Sequence, residues 1–438
     1  MIVPASRLLF WTSLVVLPFS LLAAVVPATA TVSFCFIAGL IMLATLDALR
    51  ARAVLSGIGV ELPPVVRMSR DREARLEVRI RNEQRRGRHL RLGLPWPAEI
   101  RPGTDEMEVA LPADSEWSRL VWPCTPLRRG RYRFERAYLE GASPLGFWSF
   151  RKSLPLSSEV RIYPNLLKER KNLAALFLNR GRFGVHARRQ VGKGREFEKL
   201  REYVPGDGYD EIHWKATARR GKPITKVFQI ERTQEVYVIV DASRLSARPA
   251  EGRGGTESIL ERLVTATLVL GRAAEQQGDL FGLIAATDRV EKFVRAKNGR
   301  AHYHACRDAL YLLQPKPVTP DYDELCSFIR LRLRRRALLV FLTSLDDPAV
   351  AESFVRNLDM IRRQHLVLVN MLQPPGVAPL FGNAAVGQVD DLYRELGGHL
   401  RWKKLQELQR VLQRRGVQFS LLANERLSAE LVAQYLNV

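Results

Sequence analysis

Cysteine is scarce in this chain: only four of its 438 residues are cysteines. Cys35, Cys124, Cys306 and Cys326 lie far apart, and no two of them have the C-x-x-C spacing typical of zinc and redox sites. This distribution argues against a disulfide framework and against a structural zinc site. It fits a protein of the reducing cytoplasm.

Acidic residues are also in short supply, 46 against 68 lysines and arginines, so the formal net charge is +22. Such an excess favours an anionic neighbour, either lipid headgroups or nucleic acid. Hydrophobic residues make up 46% of the chain and charged residues 26%, which is typical of folded protein rather than disorder. The length allows two or more domains with complete cores.

Two long segments without charge fill the start of the chain, at Leu8 to Val26 and Ala28 to Leu46. Each is long enough to cross a hydrocarbon core of roughly 30 Å, so residues 1–52 are predicted to form a transmembrane helical hairpin. Arg7 and Arg50 flank the pair, and the turn between the segments is uncharged. This asymmetry predicts that both ends face the cytoplasm of a bacterial inner membrane. A cleaved signal peptide is the alternative, but the first segment exceeds the usual apolar length and a second follows at once.

A β-sandwich is predicted for residues 56–163. Leu76, Val78 and Ile80 alternate with charged residues, and turn signals recur at short intervals along this module. Four tryptophans are predicted to fill its core: Trp96, Trp117, Trp122 and Trp148. A basic linker follows over residues 166–191.

Nucleic-acid binding is a second interpretation of the basic linker. It contains Arg180, Arg182, Arg188 and Arg189, with Phe183 among them. A linker close to an anionic membrane explains the same charges without another partner, so we do not expect nucleic acid to bind.

Residues 192–235 form a segment dense in charge, which we call the collar; it contains GREFEKLREYVPGDGYDEIHWKATARRGKP. Phe197 and Leu200 have helical spacing, which predicts a short helix that ends at Pro205. A second short helix is predicted to begin at Asp210 and to end before Gly221.

The remainder, residues 236–438, alternates apolar strands with helical patterns, which predicts a doubly wound α/β domain. Buried strands are expected at Val236 to Val240, Leu280 to Ala286, Ala337 to Leu342, Leu366 to Leu372 and Val417 to Leu422. Ligands of such sheets bind at the carboxyl ends of the strands. Asp241, Ser243, Thr343 and Ser344 fall at those ends.

Three motifs together resemble a known family. They are PLRRGRY at Pro126, SPLGFW at Ser143, and the block GREFEKLREYVPGDGYDEIHWKATAR in the collar. The chain resembles the bacterial proteins of the domain of unknown function 58 family over nearly its full length. The resemblance implies a von Willebrand factor type A-like α/β domain and an association with MoxR-class AAA+ ATPases. It implies no established reaction.

Type A domains hold a divalent metal through a D-x-S-x-S motif, a threonine from a later loop and an aspartate after another strand. By this resemblance Asp241 and Ser243 match the motif, but Leu245 stands at its third position. Thr319 matches the threonine, and Ser344 replaces the aspartate unless Asp346 or Asp347 takes its place. A divalent cation such as Mg²⁺ prefers several carboxylate and hydroxyl oxygens, so we expect this degenerate site to bind no metal.

The collar admits two roles. One is a docking surface for a protein partner, in which the Trp214 indole and its flanking cations form a hot spot. The other is an internal buttress, in which Trp214 is buried and Arg219 pairs with an acid such as Glu202; the abundance of paired charges favours the buttress. The residues assigned to either role are Arg201, Tyr203, Gly206, Asp207, Trp214, Lys215 and Arg219.

No catalytic residues are identified, because Ser243 lacks a histidine base nearby in sequence. The expected function is therefore that of a non-enzymatic, membrane-anchored adaptor with a protein partner and no cofactor. A hydrolase-like enzyme built on the α/β domain is the alternative.

Overall fold

The computed structural model describes residues 1–51, 53–167, 169, 191–204, 208, 209, 212–229, 234–251, 257–380 and 389–438. The chain divides into two units, Met1–Asn165 and Leu166–Val438. Most of the predicted basic linker, residues 166–191, lies outside the described residues, and so do Gly206, Asp207 and Asp210 of the collar.

Two apolar helices open the first unit. After a short strand β1 (Ile2–Pro4) come α1 (Ser6–Val25) and α2 (Pro27–Ala51), each long and apolar enough to cross a membrane. A π-helical stretch interrupts α1 at Thr12–Val16. The helices extend beyond the predicted segments because the charged ends, including Arg7 and Asp47, are also helical.

The rest of the first unit is a sandwich of two sheets. Its strands are β2 (Ile58–Glu61), β3 (Val65–Ser69), β4 (Ala74–Asn82), β5 (Arg88–Gly93), β6 (Ile100–Pro102), β7 (Glu106–Leu111), β8 (Trp117–Pro126), β9 (Gly130–Ala142) and β10 (Trp148–Tyr163). One sheet has the order β1-β10-β9-β5-β7, with β3 also on β10, and the other has the order β2-β4-β8-β6.

The sandwich core confirms the alternation seen in the sequence. Leu76, Val78 and Ile80 of β4 are buried against residues of the other sheet, because alternate side chains of a strand point to the same face. Trp122 is fully buried and Trp96 packs on it with ring centroids 5.5 Å apart, as predicted. Trp117 is instead exposed, because β8 turns that residue to the outer face.

The second unit is built on a six-stranded sheet of β13 (Glu235–Asp241), β14 (Leu280–Ala286), β15 (Val290–Lys297), β16 (Leu338–Leu342), β17 (Leu366–Leu372) and β18 (Gln418–Leu422). The order is β15-β14-β13-β16-β17-β18, and all neighbours are parallel except β14 and β15. The five predicted strands are present. The antiparallel edge strand β15 was not predicted, because its charged residues interrupt the apolar pattern.

Helices cover both faces of this sheet. They are α4 (Ile259–Gln277), α5 (Arg300–Leu310), α6 (Tyr322–Arg332), α7 (Pro348–Leu358), α8 (Val389–Arg414) and α9 (Leu427–Asn437); the helix before them, α3 (Trp214–Arg220), belongs to the collar. Alternate residues of β13 enter two cores. Val236, Val238 and Val240 pack with α4, α5 and α9, whereas Tyr237 and Ile239 pack with α6, α7 and α8. This is the doubly wound arrangement expected from the sequence.

Helix α8 approaches the loop after β17 through a glycine. A Cβ built on Gly398 would lie 2.0 Å from the carbonyl oxygen of Gly376, whereas one built on Gly397 would meet nothing within 4 Å. The two glycines are therefore a matched pair: one is required by a close backbone contact and the other is not.

We expect Gly398→Ala to lower the free energy of unfolding by about 1–3 kcal/mol, because the helix must move away from the loop. Gly397→Ala should raise it by up to about 1 kcal/mol, because alanine favours the helix and has room there. Urea unfolding of the full chain in detergent compares the two variants. Equal effects of the two substitutions would contradict the close contact.

Candidate functional site

The carboxyl ends of β13 and β16 bring the predicted site residues together. These strands are parallel neighbours, with Val240 opposite Leu342, so the residues that follow them meet at one edge of the sheet. Asp241 ends β13 and Thr343 follows β16 directly. Both side chains are buried.

Asp241 is held by a chain of hydrogen bonds. Its Oδ1 accepts from the backbone N–H of Ser243 at 2.8 Å, and its Oδ2 accepts from the Thr343 hydroxyl at 2.7 Å. Because the Thr343 proton is used in this way, the Tyr322 hydroxyl 2.8 Å away donates to Thr343 Oγ1. Both carboxylate oxygens therefore have protein donors.

Burial dominates the electrostatics of this cluster. Asp241 is only 5% exposed, and removal from water raises the pKa of its carboxyl group, although the hydrogen bonds from Thr343 and Ser243 oppose the shift. Burial, followed by the nearby charge of Asp241, raises the pKa of Tyr322 well above its usual value. A cavity of about 10 Å³ lies against Asp241, Thr343 and Tyr322, which is at the lower limit for one water molecule.

The other predicted metal ligands point to different partners. Thr319 Oγ1 accepts from Arg244 Nε at 3.4 Å, and Arg244 Nη2 lies 3.0 Å from Asp347 Oδ2. Asp346 pairs with Arg248. Ser344 is buried. The two aspartates that follow β16 therefore neutralise arginines of the β13 loop instead of joining Asp241.

This set of residues does not fit a divalent metal. Among the proposed ligands, Asp241 is the one carboxylate at the strand ends, and its two oxygens already accept protein hydrogen bonds. The Arg244 guanidinium donates a hydrogen bond to the Thr319 hydroxyl. Within the described part of the chain, no group of three or more His, Cys, Asp or Glu side chains could hold a metal ion.

The collar differs from its predicted structure in its first half. Residues Val191–Glu202 form strand β11, not a helix, and this strand pairs antiparallel with β12 (Ile224–Gln229). The helical spacing of Phe197 and Leu200 was misleading, because pairing with a distant strand overrode the local pattern.

The second collar helix is present as α3. It begins after His213, whose Nδ1 accepts from the backbone N–H of Ala216 at 3.1 Å, and it ends at Gly221, whose φ is 65°. The glycine at the end was predicted; Asp210, the predicted cap, lies outside the described residues. Lys222, not Arg219, lies near Glu202, at 3.8 Å.

Exposure of the collar side chains corrects the buttress prediction for Trp214. The Trp214 indole is 68% exposed, and Tyr209 is 78% exposed. Tyr203 stacks on Tyr209 with ring centroids 6.2 Å apart. The collar also exposes two more apolar side chains, Leu200 and Val204, and four cationic side chains, Lys215, Arg219, Arg220 and Lys222. Arg201 is half-buried.

The sequence did not identify Tyr209 or Val204 as surface residues. A possible signal was their position beside Pro205 and Gly208, since turn residues place their neighbours at the surface.

The described thiols outside the apolar helices are poor nucleophiles. Burial raises the pKa of Cys124 to about 11, and it raises those of Cys306 and Cys326 to about 12. A thiol with such a pKa remains protonated near neutrality, so it is neither a strong nucleophile nor a ready metal ligand.

The raised pKa of Asp241 makes stability depend on pH. The folded protein holds this proton more tightly than the unfolded chain, so stability is lost as the pH rises from about 4 through the folded pKa. As the pH rises over this range, the free energy of unfolding of the wild type should fall relative to that of Asp241→Asn. At higher pH the difference between the two proteins should stay constant. Urea unfolding at a series of pH values measures the difference, with Glu352→Gln as a control for removing one charge. A difference that does not change with pH would contradict the raised pKa.

Magnesium should not bind at the strand ends. We expect calorimetric titration of the full chain with Mg²⁺ to show no saturable heat, and Asp241→Ala to change nothing, because both oxygens of Asp241 accept protein hydrogen bonds. A saturable titration that Asp241→Ala abolishes would overturn this conclusion.

Comparison with known proteins reveals distant relatives. Uncharacterized proteins of Mycobacterium bovis and Mycobacterium tuberculosis are each 27% identical over 199 residues, which are 44% of this chain and 60% of the relative. The chain thus spans about 60% of the length of these relatives. Among solved structures, proximal thread matrix protein 1 from the mussel byssus is similar at a TM-score of 0.27 and 10% identity, covering 46% of each chain. This likeness is too low to support an argument.

The family match covers most of the collar and the first part of the α/β domain. Residues 199–387, which include α3, Asp241, Thr319 and Thr343, match the family described as Protein of unknown function DUF58.

Proposed function

We propose that this protein is a membrane-anchored, non-enzymatic adaptor of the bacterial inner membrane. Its α/β domain, which we interpret as von Willebrand factor type A-like, would be presented to a protein partner in the cytoplasm. The partner we propose is a MoxR-class AAA+ ATPase, on the strength of the family resemblance alone. The exposed aromatic surface of the collar is the observation that supports docking most directly.

Anchoring is supported by the length and flanking charges of the first two helices. Helices α1 and α2 contain 20 and 25 residues, which correspond to roughly 30 and 37 Å at 1.5 Å per residue. Arg7 lies at the start of α1 and Arg50 at the end of α2. Positive residues at both outer ends favour a cytoplasmic location for both of them.

A type A-like domain is supported by the sheet and by the position of Asp241. The parallel strands, the single antiparallel edge and the aspartate at the end of β13 suit such a domain. Because the residues at the strand ends do not fit a metal, the partner would bind without a metal bridge. Arg244 and Arg248, each half-exposed and paired with an aspartate, line this edge instead.

Docking through the collar is supported by the combination of exposed aromatic rings and cations. Trp214 and Tyr209 expose most of their surface, and Lys215, Arg219 and Arg220 lie on the same short helix as Trp214. Large aromatic side chains dominate the binding energy of many interfaces, and peripheral charges select the partner. The fitting partner surface has an apolar pocket surrounded by acidic residues.

The enzymatic alternative has little support among the described residues. Asp241 is enclosed by its own hydrogen-bond donors, and three of the four thiols are buried with raised pKa values. Neither Asp241 nor these three thiols thus supplies an accessible base or an activated nucleophile. Binding explains the exposed collar better than catalysis does.

A crosslinking experiment tests the docking surface. A photoreactive phenylalanine analogue replaces Tyr209 in the full chain, and irradiated native membranes are analysed by mass spectrometry. We expect a dominant adduct with an AAA+ ATPase. Adding Trp214→Ala should lower its yield on the order of tenfold or more, because loss of an aromatic anchor costs an interface about 2 kcal/mol or more.

The matched control is Trp117→Ala, which removes an exposed tryptophan from the sandwich. It should leave the adduct unchanged, and both variants should melt close to the wild type. Adducts to lipid alone, or a yield that Trp214→Ala does not alter, would contradict docking through the collar.

A further inference from the structure

The turn between β9 and β10 binds the two apolar helices of the first unit. It contains the motif SPLGFW, residues Ser143 to Trp148. The backbone N–H of Ala5, just before α1, donates to the Phe147 carbonyl at 2.8 Å. The Trp148 Nε1–H donates to the Ala44 carbonyl of α2, also at 2.8 Å. The turn therefore contacts both α2 and the residue that precedes α1.

Asp47 of α2 is the centre of this contact. It is 1% exposed, and its oxygens accept from the Leu145 N–H at 3.0 Å, the Phe147 N–H at 3.2 Å and the Ser143 hydroxyl. The Ser143 oxygen in turn accepts from the backbone N–H of Trp148 at 3.0 Å. A carboxylate beside an apolar helix is costly unless it is fully hydrogen-bonded, and the turn supplies its donors.

The position of Asp47 along α2 sets the depth of the turn. Asp47 follows directly after the uncharged segment Ala28 to Leu46, and Ala44 lies inside that segment. If the segment crosses the hydrocarbon core, Trp148 reaches a carbonyl at its edge. Tryptophan is typical of this boundary, where its ring contacts lipid and its N–H stays bonded.

The tip of the turn is apolar and uncovered. Leu145 is 48% exposed, although the neighbouring side chains of Ser143 and Trp148 are bonded to Asp47 and to the Ala44 carbonyl. Gly146 has a φ of 74°, and a Cβ there would lie 3.2 Å from the Arg7 side chain, so a glycine is needed for the turn to approach α1. The turn is thus shaped to place Leu145 beside the helix ends.

We propose that this turn is a third membrane-contacting element, in which Leu145 enters the lipid interface and Asp47 fixes its depth. The inference rests on the proposed anchoring of α1 and α2. Its partner is the acyl boundary of the bilayer, because the exposed group is a single aliphatic side chain adjoining two lipid-facing helices.

The test measures the depth of a fluorescent label in the full chain, reconstituted in vesicles of phosphatidylcholine and phosphatidylglycerol. An environment-sensitive dye is attached at Leu145→Cys in a Cys35→Ala background, since Cys35 is the one exposed native thiol. Met42→Cys, on the exposed face of α2, is the lipid reference. Arg128→Cys, in the turn at the opposite end of β9, is the water reference.

We expect the label at Leu145 to be quenched by brominated lipid and protected from dithionite, as at Met42, whereas the label at Arg128 reacts freely. Asp47→Ala should increase the dithionite rate at Leu145 on the order of tenfold, because the donors of the turn lose a charged acceptor. Labels at Met42 and Arg128 serve to show that this variant is still folded and inserted.

Two results would overturn the inference, and they differ in what else they affect. If the label at Leu145 reacts like the label at Arg128 while the label at Met42 is in lipid, the turn does not contact the membrane, but the anchoring of α1 and α2 still holds. If the label at Met42 is exposed to water, the anchoring of α1 and α2 is contradicted, and so is the membrane contact of the turn.

Discussion

A carboxylate that leaves water needs hydrogen-bond donors, and this requirement organises both units of the protein. In the first unit, Asp47 of α2 accepts from the backbone and side chain of the turn between β9 and β10. In the second, Asp241 accepts from Ser243 and Thr343. Each aspartate joins segments roughly a hundred residues apart, and neither arrangement tolerates loss of the acceptor without leaving buried donors unpaired.

The two aspartates have different consequences for function. Asp47 connects the sandwich to the apolar helices, so the orientation of that sandwich follows from the helix that holds it. Asp241 lies at the carboxyl-end edge of the second sheet, and each of its oxygens accepts one protein hydrogen bond there. Arg244 and Arg248 supply positive charge at that edge, and Asp347 and Asp346 balance it.

The collar shows which structural features local sequence patterns predict and which they do not. Gly221 ends α3 as its position predicted, because a glycine after a helix adopts a positive φ without strain. The spacing of Phe197 and Leu200 failed, because the partner of β11 is β12, more than twenty residues away. Trp214 was expected to be buried because the paired charges around it favoured an internal buttress. Burial depends on whether another segment covers the side chain, and the described residues leave most of the indole exposed.

The sequence by itself determined the two apolar helices, the alternating strands of the sandwich and the parallel strands of the second unit. These features depend on periodicity and length, which are local properties of the chain. By resemblance to type A domains, it also indicated that Leu245 interrupts the D-x-S-x-S pattern and that Ser344 stands where a later aspartate is expected. Only the tertiary structure decided which donors surround Asp47 and Asp241, that Arg244 lies on Thr319, and that Trp214 and Leu145 are exposed. The reason is physical: hydrogen-bond satisfaction and burial are set by segments distant in sequence that meet only in the fold.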